Sequence, residues 1–545
     1  APPRAAAFCN RMSSQPVPAS SKSYALRITY YVSRITYSIS GLTAHRPLTL
    51  SLISLISLVS YFFGLLLPYN LFTLGLKPLI NIAKLTRGDA LAQARFVIAF
   101  AALSGLYYCA WRLCRNVQSR RAWIVLLIGA LTINIAMLFL YPIDAADIFD
   151  NIIRGRITAA HGGNPFYDTP IQFVRDPLAF YSAWRKSTSA YGPLWELLAA
   201  AVSRVVGEGK LINVLGFKIM GVAFYFGCII LIAAVLKRHA PERALQGACL
   251  FALNPLVIYE TAGNGHNDIV MVFFIVLAMY AATRNWFAFA AVAVTAGALV
   301  KFIPALLLPI VITAGLRAQP DMRARARYLI VTLLACTMLA VVAYAPFWKG
   351  GDLLAIQRRE GLFTSSLPAV LQAQLESSMG VDVSRRITTI AALILTGGVV
   401  LAAVWRVWVE SDSHTPTPPH STWLPPLRAS AFVLLFYLLF ACLWFQPWYA
   451  VWPLALAALL PEGESGRIAV LLSYAAVWKT IIFDFFLVTG TPLPPRIWRE
   501  TLLGPATLGM AWLYSAYALI KRIPRVRRVT GPTGNDWNAD YVDKT

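Results

Sequence analysis

Apolar residues occupy this chain in long blocks separated by short polar stretches. About twenty apolar residues in helical form cross the roughly 30 Å hydrocarbon core of a bilayer. The clearest blocks cover 49–67, 92–111, 122–141, 213–235, 243–261, 268–283, 327–346, 387–405, 428–446, 467–488 and 500–520. Residues 286–316 are too long for one ordinary crossing and are interrupted at Lys301-Phe302-Ile303-Pro304, so they read as two, and a short apolar stretch follows Trp448. The pattern predicts an all-α polytopic membrane protein of about 13 to 15 transmembrane helices.

Composition agrees. Of 545 residues, 58% are hydrophobic and 13% charged, against about 45–50% and about 25% in a soluble domain, which excludes an ordinary cytosolic protein. The net charge of +23 points to loops beside anionic membrane lipid, not to a nucleic-acid partner. The clusters Arg112/Arg115/Arg120/Arg121, Lys237/Arg238/Arg243, Arg317/Arg323/Arg325/Arg327 and Lys521/Arg522/Arg525/Arg527/Arg528 fall on one side if the N-terminus is cytoplasmic and 191–206 lies along the outer interface. This predicts a plasma-membrane protein with a flexible cytoplasmic segment 1–45, a transmembrane domain 46–520 and a basic cytoplasmic tail 521–545. Loops 142–212, 262–267 and 347–386 then share the outer face, and 409–425, with Pro416, Pro418 and Pro419, is a cytoplasmic linker. The seven cysteines show no CxxC or metal-ligand spacing.

Candidate chemistry gathers in those outer loops. Asp144, Asp147 and Asp150 are spaced three apart, with Arg154 one turn beyond. On a helix they form one stripe, in which either a proton-accepting carboxylate or local salt bridges are expected. Asn264-Gly265-His266-Asn267-Asp268 is a polar cluster between two apolar blocks, where Asn267 or Asp268 can also cap a helix. Lys301 breaks an apolar segment and is expected to meet an anion. Arg358 and Arg359 offer two adjacent guanidinium groups for a phosphate. Phe445-Gln446-Pro447-Trp448-Tyr449 reads as an interfacial aromatic belt or a sugar platform. Glu260 reads as a surface residue, and Lys479 with Asp484 as a structural pair inside a span. No metal is expected, because hard-ion sites draw ligands from more than one segment and the Asp stripe is a single one.

Several motifs, in order over residues 120–455, resemble a known group. They are Asp147-Ile-Phe-Asp150 with Arg154-Gly-Arg156, Gly163-Asn164-Pro-Phe166, Tyr191-Gly-Pro-Leu-Trp195, Gly265-His-Asn-Asp268, Lys301-Phe-Ile-Pro304, Tyr344-Ala-Pro-Phe347 and Gln446-Pro-Trp-Tyr449. Together they look like the prokaryotic GT-C glycosyltransferases that use polyprenyl-phosphate-mannose, nearest to the α-mannosyltransferases of actinobacterial lipoglycans. The resemblance implies an inverting, metal-independent, cofactor-free transferase with a lipid-linked sugar donor and a glycan or glycolipid acceptor. Its first outer acidic motif supplies the base, which maps by position to Asp147. The family often has Tyr-Ser-Tyr where this chain has Phe149-Asp150-Asn151, which leaves Asp147 and Asp150 both open as the base, with Asp144 beside them. Lys301, Arg358, Arg359 and Arg154 are the expected donor-phosphate ligands. Asn164, Tyr191, His266, Asn267, Asp268, Gln446, Trp448 and Tyr449 are the expected sugar or acceptor contacts. A transporter or flippase of a lipid-linked sugar is the alternative, although the acidic loop near 150 has no counterpart in the second half, where such proteins usually show related halves.

Overall fold

A backbone N–H or C=O left unpaired in hydrocarbon finds no water, so apolar blocks close their hydrogen bonds internally as helices. A computed structural model describes residues 46–522 apart from 76, 78, 79, 145, 351–361, 411–421 and 489–495. Among the described residues there is no strand, only isolated bridges pairing Asn70 with Leu140 and Thr364 with Trp444. In chain order, α1 (Arg46–Tyr61), α2 (Ala90–Leu113) and α3 (Arg120–Met137) precede α4 (Asp147–Ala159) and α5 (Pro193–Val206). Then come α6 (Lys210–His239), α7 (Ala244–Ala252), α8 (Asp268–Thr283), α9 (Phe287–Ala298), α10 (Leu308–Arg317), α11 (Met322–Tyr344), α12 (Leu367–Met379) and α13 (Val381–Glu410). The order closes with α14 (Leu424–Phe436), α15 (Val451–Ala458), α16 (Glu464–Thr480) and α17 (Arg496–Arg522).

The all-α polytopic architecture is as expected, but the number of full-length crossings differs from the number of apolar blocks. Among the described residues, 8 helices are long and apolar enough to cross a membrane, and three shorter apolar helices accompany them. The block 243–261 is cut at Asn254-Pro255: proline lacks an N–H and clashes with the preceding turn, and the Asn254 side chain accepts from the N–H groups of Leu256 and Val257 to start a new helix. The long segment 286–316 divides around Lys301, between α9 and a 3-10 turn Ile303–Leu307. The stretch after Trp448 yields only the 8 residues of α15. The N-terminal segment 1–45, most of the basic tail and most of the 409–425 linker lie outside the described residues.

Burial sorts inner helices from outer ones. Only 22% of the α11 window and 28% of the α13 window are buried, against 67% for the helix that begins with α16. α11 and α13 therefore present apolar side chains such as Leu333, Leu334, Leu393 and Ile394 outward, as lipid-facing helices do, while α16 is central. α8 is also central, packed against α6 and α9. The helix breaks, where polar backbone and side chains concentrate, lie next to these two inner helices.

Candidate active site

Three interruptions build the site. After the Pro255 break, residues Tyr259–Gly263 form a π turn that leads to Gly265 at φ +74°. Only glycine suits that position, because an added Cβ would also collide with Ile148 at the start of α4. The chain then enters α8 at Asp268. At the second interruption, the carbonyls of Leu299 and Val300 accept from Leu194 N (2.9 Å) and Gly192 N (3.0 Å), docking the Lys301 break against the start of α5. The third is the extended Gln446, followed by the 3-10 turn Pro447–Ala450.

Lys301 meets the anion expected for it. Its Nζ lies 2.9 Å from Asp268 Oδ1, an oxygen that also accepts from Trp452 Nε1 at 2.6 Å. Aromatic faces surround the ammonium: Tyr449 at 4.6 Å, Trp452 at 5.4 Å and Tyr191 at 5.9 Å to the ring centroids. Such faces attract a cation through the ring quadrupole. Tyr449 and Trp452 stack on each other at 4.4 Å. Trp448 stands edge-on to Tyr449 at 6.0 Å and stacks on His266.

His266 links this cationic half to a carboxylate half. Its Nε2 lies 3.4 Å from Glu260 Oε2, which also accepts from Asn264 Nδ2 at 3.0 Å. Asn264 Oδ1 in turn accepts from Asp144 N at 3.2 Å, and Asp144 Oδ1 accepts from Thr480 Oγ1 at 3.0 Å. One ligand-type atom each from Asp144, Glu260 and His266 lies within 4.8 Å of the other two. Lys479 donates to Gln446 Oε1 at 2.7 Å and is electrostatically coupled to Asp144. Burial pushes the Asp144 carboxyl up, partly offset by the Lys479 charge. Burial and the Lys301 charge push the His266 imidazole well down, which keeps it neutral near pH 7.

The Asp stripe does not act as a unit. Asp144 precedes the helix, Asp147 is its half-buried first residue, and Asp150 is buried within it. Asp150 is committed elsewhere: Arg154 Nε donates to Oδ2 at 2.8 Å, Arg154 Nη2 to Oδ1 at 3.2 Å, and Ser182 Oγ to Oδ1 at 2.6 Å. Arg154, expected among the phosphate ligands, is instead fully buried, with Nη2 also donating to the Ser187 carbonyl at 2.9 Å. Nε and Nη2 of this guanidinium are thus engaged within the fold, while Nη1 is buried without a hydrogen-bond partner. Asn164 likewise spends its amide on the Phe347 carbonyl at 2.7 Å. Asn267 stands at the N-cap of α8 without a capping side-chain bond, and its buried Nδ2 has no partner. Arg358 and Arg359 lie outside the described residues.

Sequence reasoning passed over three members of this cluster. Glu260, read as a surface group, is 1% exposed inside it. Lys479 and Thr480, read as part of a span, reach it from α16. The polar run after Glu260 was the available signal for the first. Lys479 stands out as a charge inside a span but reads as a structural pair with Asp484, and nothing local marks Thr480, which meets Asp144 across 336 positions of chain.

Comparison with known proteins assigns the group. The family described as alpha-(1->6)-mannopyranosyltransferase, N-terminal domain, matches residues 51–317. Among curated proteins, alpha-(1->6)-mannopyranosyltransferase A of Mycobacterium tuberculosis is 23% identical over 366 residues, covering 64% of this chain and 67% of that protein. The enzyme of the same name from Corynebacterium glutamicum is 23% identical over 186 residues, covering 33% of this chain and 37% of its own length. The chain is thus a membrane glycosyltransferase, similar to the actinobacterial mannosyltransferases. The stretch matched by the mannosyltransferase family holds Asp144, Asp147, Glu260, His266, Asp268 and Lys301, while Gln446, Trp448, Tyr449, Trp452 and Lys479 come from beyond it.

Proposed function

We propose that the chain transfers mannose, with inversion, from a polyprenyl-phosphate carrier to a hydroxyl of a glycan or glycolipid acceptor at the outer face of the membrane. The observation that carries this reading is the junction of two halves. Lys301, in its wall of Tyr191, Tyr449 and Trp452, adjoins the Asp144–Glu260 carboxylates through the stacked pair His266 and Trp448. A retained cation suits a phosphate leaving group, aromatic faces suit a sugar ring, and a carboxylate suits a hydroxyl proton.

Asp147 is the proposed base. It begins α4 next to Ile148, which packs on Gly265 of the His266 turn, while Asp150 is occupied by Arg154. Its carboxylate takes the acceptor hydroxyl proton as that oxygen bonds to the anomeric carbon. The bond from the anomeric carbon to the phosphate oxygen breaks, and its electron pair stays on the phosphate. The transition state resembles an oxocarbenium ion, and the charge growing on the phosphate is met by Lys301. Arg358 and Arg359 remain further proposed phosphate ligands.

The deciding experiment measures transfer of labelled mannose from polyprenyl-phosphate-mannose by purified chain in nanodiscs, next to movement of the carrier across vesicles. Wild type transfers, and Asp147→Asn loses about 10²-fold to 10⁴-fold while keeping the wild-type gel-filtration profile. Carrier movement without transfer by the wild type overturns the enzyme reading, and wild-type turnover by the variant removes Asp147 from it.

A further inference from the structure

Asp144 and the turn that carries Glu260 and His266 are remote in sequence, yet they place two carboxylates and one imidazole against each other. The three closest ligand-type atoms all lie within 4.8 Å of one another. Oxygen ligands of a divalent cation sit at about 2.0–2.6 Å, so two ligands of one ion can be up to about 5 Å apart. The donor atoms therefore already occupy the geometry of a common ion.

The arrangement of hydrogen bonds points to a ligand independently. Each carboxylate has one oxygen tied down and one left over. Thr480 holds Asp144 Oδ1 while Asp144 Oδ2 is buried without a hydrogen bond, and Asn264 holds Glu260 Oε2 while Glu260 Oε1 is buried without one. His266 Nε2 is likewise buried without a hydrogen bond, and its ring is fixed in plane by Trp448. Glu260 is 1% and His266 4% exposed, so bulk water does not satisfy these atoms. Groups held on one side by outer partners and free on the other are the pattern of metal-ligating side chains. Lys301 is already matched by Asp268, and the Lys479 charge acts on Asp144 and Glu260.

We propose that Asp144, Glu260 and His266 form a binding site for one divalent cation of the Mn²⁺ type. Carboxylate oxygens suit hard cations and imidazole suits first-row transition metals, and Mn²⁺ accepts both. Three protein ligands leave positions open for water or for an oxygen of a phosphate. Any catalytic part played by the ion rests on the transferase reading above, whereas its binding does not. The sequence offers two grounds for expecting no metal, the single-segment stripe 144–150 and the resemblance to metal-independent transferases; these ligands answer the first, being drawn from two separate segments as a hard-ion site requires.

The test uses the full chain in nanodiscs, stripped with EDTA, desalted and titrated with MnCl₂ while free Mn²⁺ is read by electron paramagnetic resonance. One Mn²⁺ disappears per chain. Glu260→Gln and His266→Gln each weaken binding at least ~10-fold, the scale on which ligand-sphere changes act, while Glu464→Gln at the far end of α16 binds like wild type. If a ligand variant fails to fold, the wild type alone decides, through an Mn²⁺-dependent rise in melting temperature that EDTA reverses. No binding at millimolar Mn²⁺, or equal binding by folded ligand variants, overturns the site and leaves a proton shared between the carboxylates in its place. Transfer without Mn²⁺ binding refutes this inference and spares the transferase reading. Mn²⁺ binding without transfer does the opposite.

Discussion

His266 lies flat on Trp448, with ring centroids 3.8 Å apart and planes 18° from parallel. This contact joins the carboxylates at Asp144 and Glu260 to the aromatic wall around Lys301. Both rings come from helix interruptions, one after Gly265 and one after Gln446. Aromatic pairs contribute about 0.5–1.5 kcal/mol beyond area burial, enough to hold an imidazole in one orientation.

Trp448→Ala is expected to free the His266 ring and remove part of the proposed sugar platform. We expect kcat/KM for labelled mannose transfer to fall by about 10-fold, corresponding to about 1.4 kcal/mol. Trp448→Phe keeps a stacking face and should recover most of the loss. Equal activity in Trp448→Ala and wild type would show that the stack has no part in transfer.

Lys301 and Asp268 make a separable prediction. The side chains are 15% and 3% exposed, so losing one partner strands the other in a poorly hydrated place. Breaking a buried pair from one side costs about 3–5 kcal/mol. Lys301→Gln should lower both melting temperature and transfer. The double variant Lys301→Gln/Asp268→Asn should regain most of the stability, because no unpaired charge is left, but not the transfer, because the phosphate cation is still missing. Recovery of both by the double variant would make the pair structural only.

How much of this was legible in the sequence depends on how local each signal is. Lys301 was legible because a cation beside Phe302 and Pro304 interrupts an apolar run, and its anion lies in the nearest polar cluster, at Asp268. The stripe was only half legible: a spacing of three fits either a shared acidic face or local salt bridges, and for Asp150 the structure realises the second, with Arg154 one turn on. Glu260 was misplaced because it closes an apolar block, where a surface position is the simplest reading. The Pro255 break and the π turn after it direct it inward. Lys479 reads as a structural partner of Asp484 and Thr480 does not stand out, since the contacts of both with Gln446 and Asp144 are set by which segments α16 packs beside. Among the described residues the number of long apolar helices differs from the number of apolar blocks for a related reason. Apolarity reports burial in lipid or in protein alike, and blocks such as 243–261 end up as broken helices inside the fold.

Gly265 supplies a stability prediction. Its φ of +74° strains any residue with a side chain, and an added Cβ would meet the Ile148 side chain, which must then move. Gly265→Ala should destabilise by roughly 1–3 kcal/mol, the cost of a strained backbone position, visible as a lower melting temperature in nanodiscs. Pairing it with Ile148→Ala relieves the collision but not the backbone strain, so only partial recovery is expected. Full recovery would assign the whole cost to packing.

Glu196, in α5 beside the Asp150–Arg154 pair, carries the pH prediction. Burial raises its carboxyl to about 7 from the usual 4.5, opposed by the Arg154 charge and a hydrogen bond from Ser189 and reinforced by the charge of Asp150. The folded chain keeps this proton up to about pH 7, whereas the unfolded chain releases it near 4.5. The stability so gained is fully present below the unfolded value and is lost as pH rises through the folded one, a difference on the order of 3 kcal/mol. Melting temperatures of the wild type should therefore fall between pH 5 and pH 8 by more than those of Glu196→Gln, whose amide cannot ionise. The difference between the two profiles isolates this residue from every other titrating group. Parallel profiles would mean that Arg154 keeps Glu196 ionised throughout, as a third charge in one buried network with Asp150.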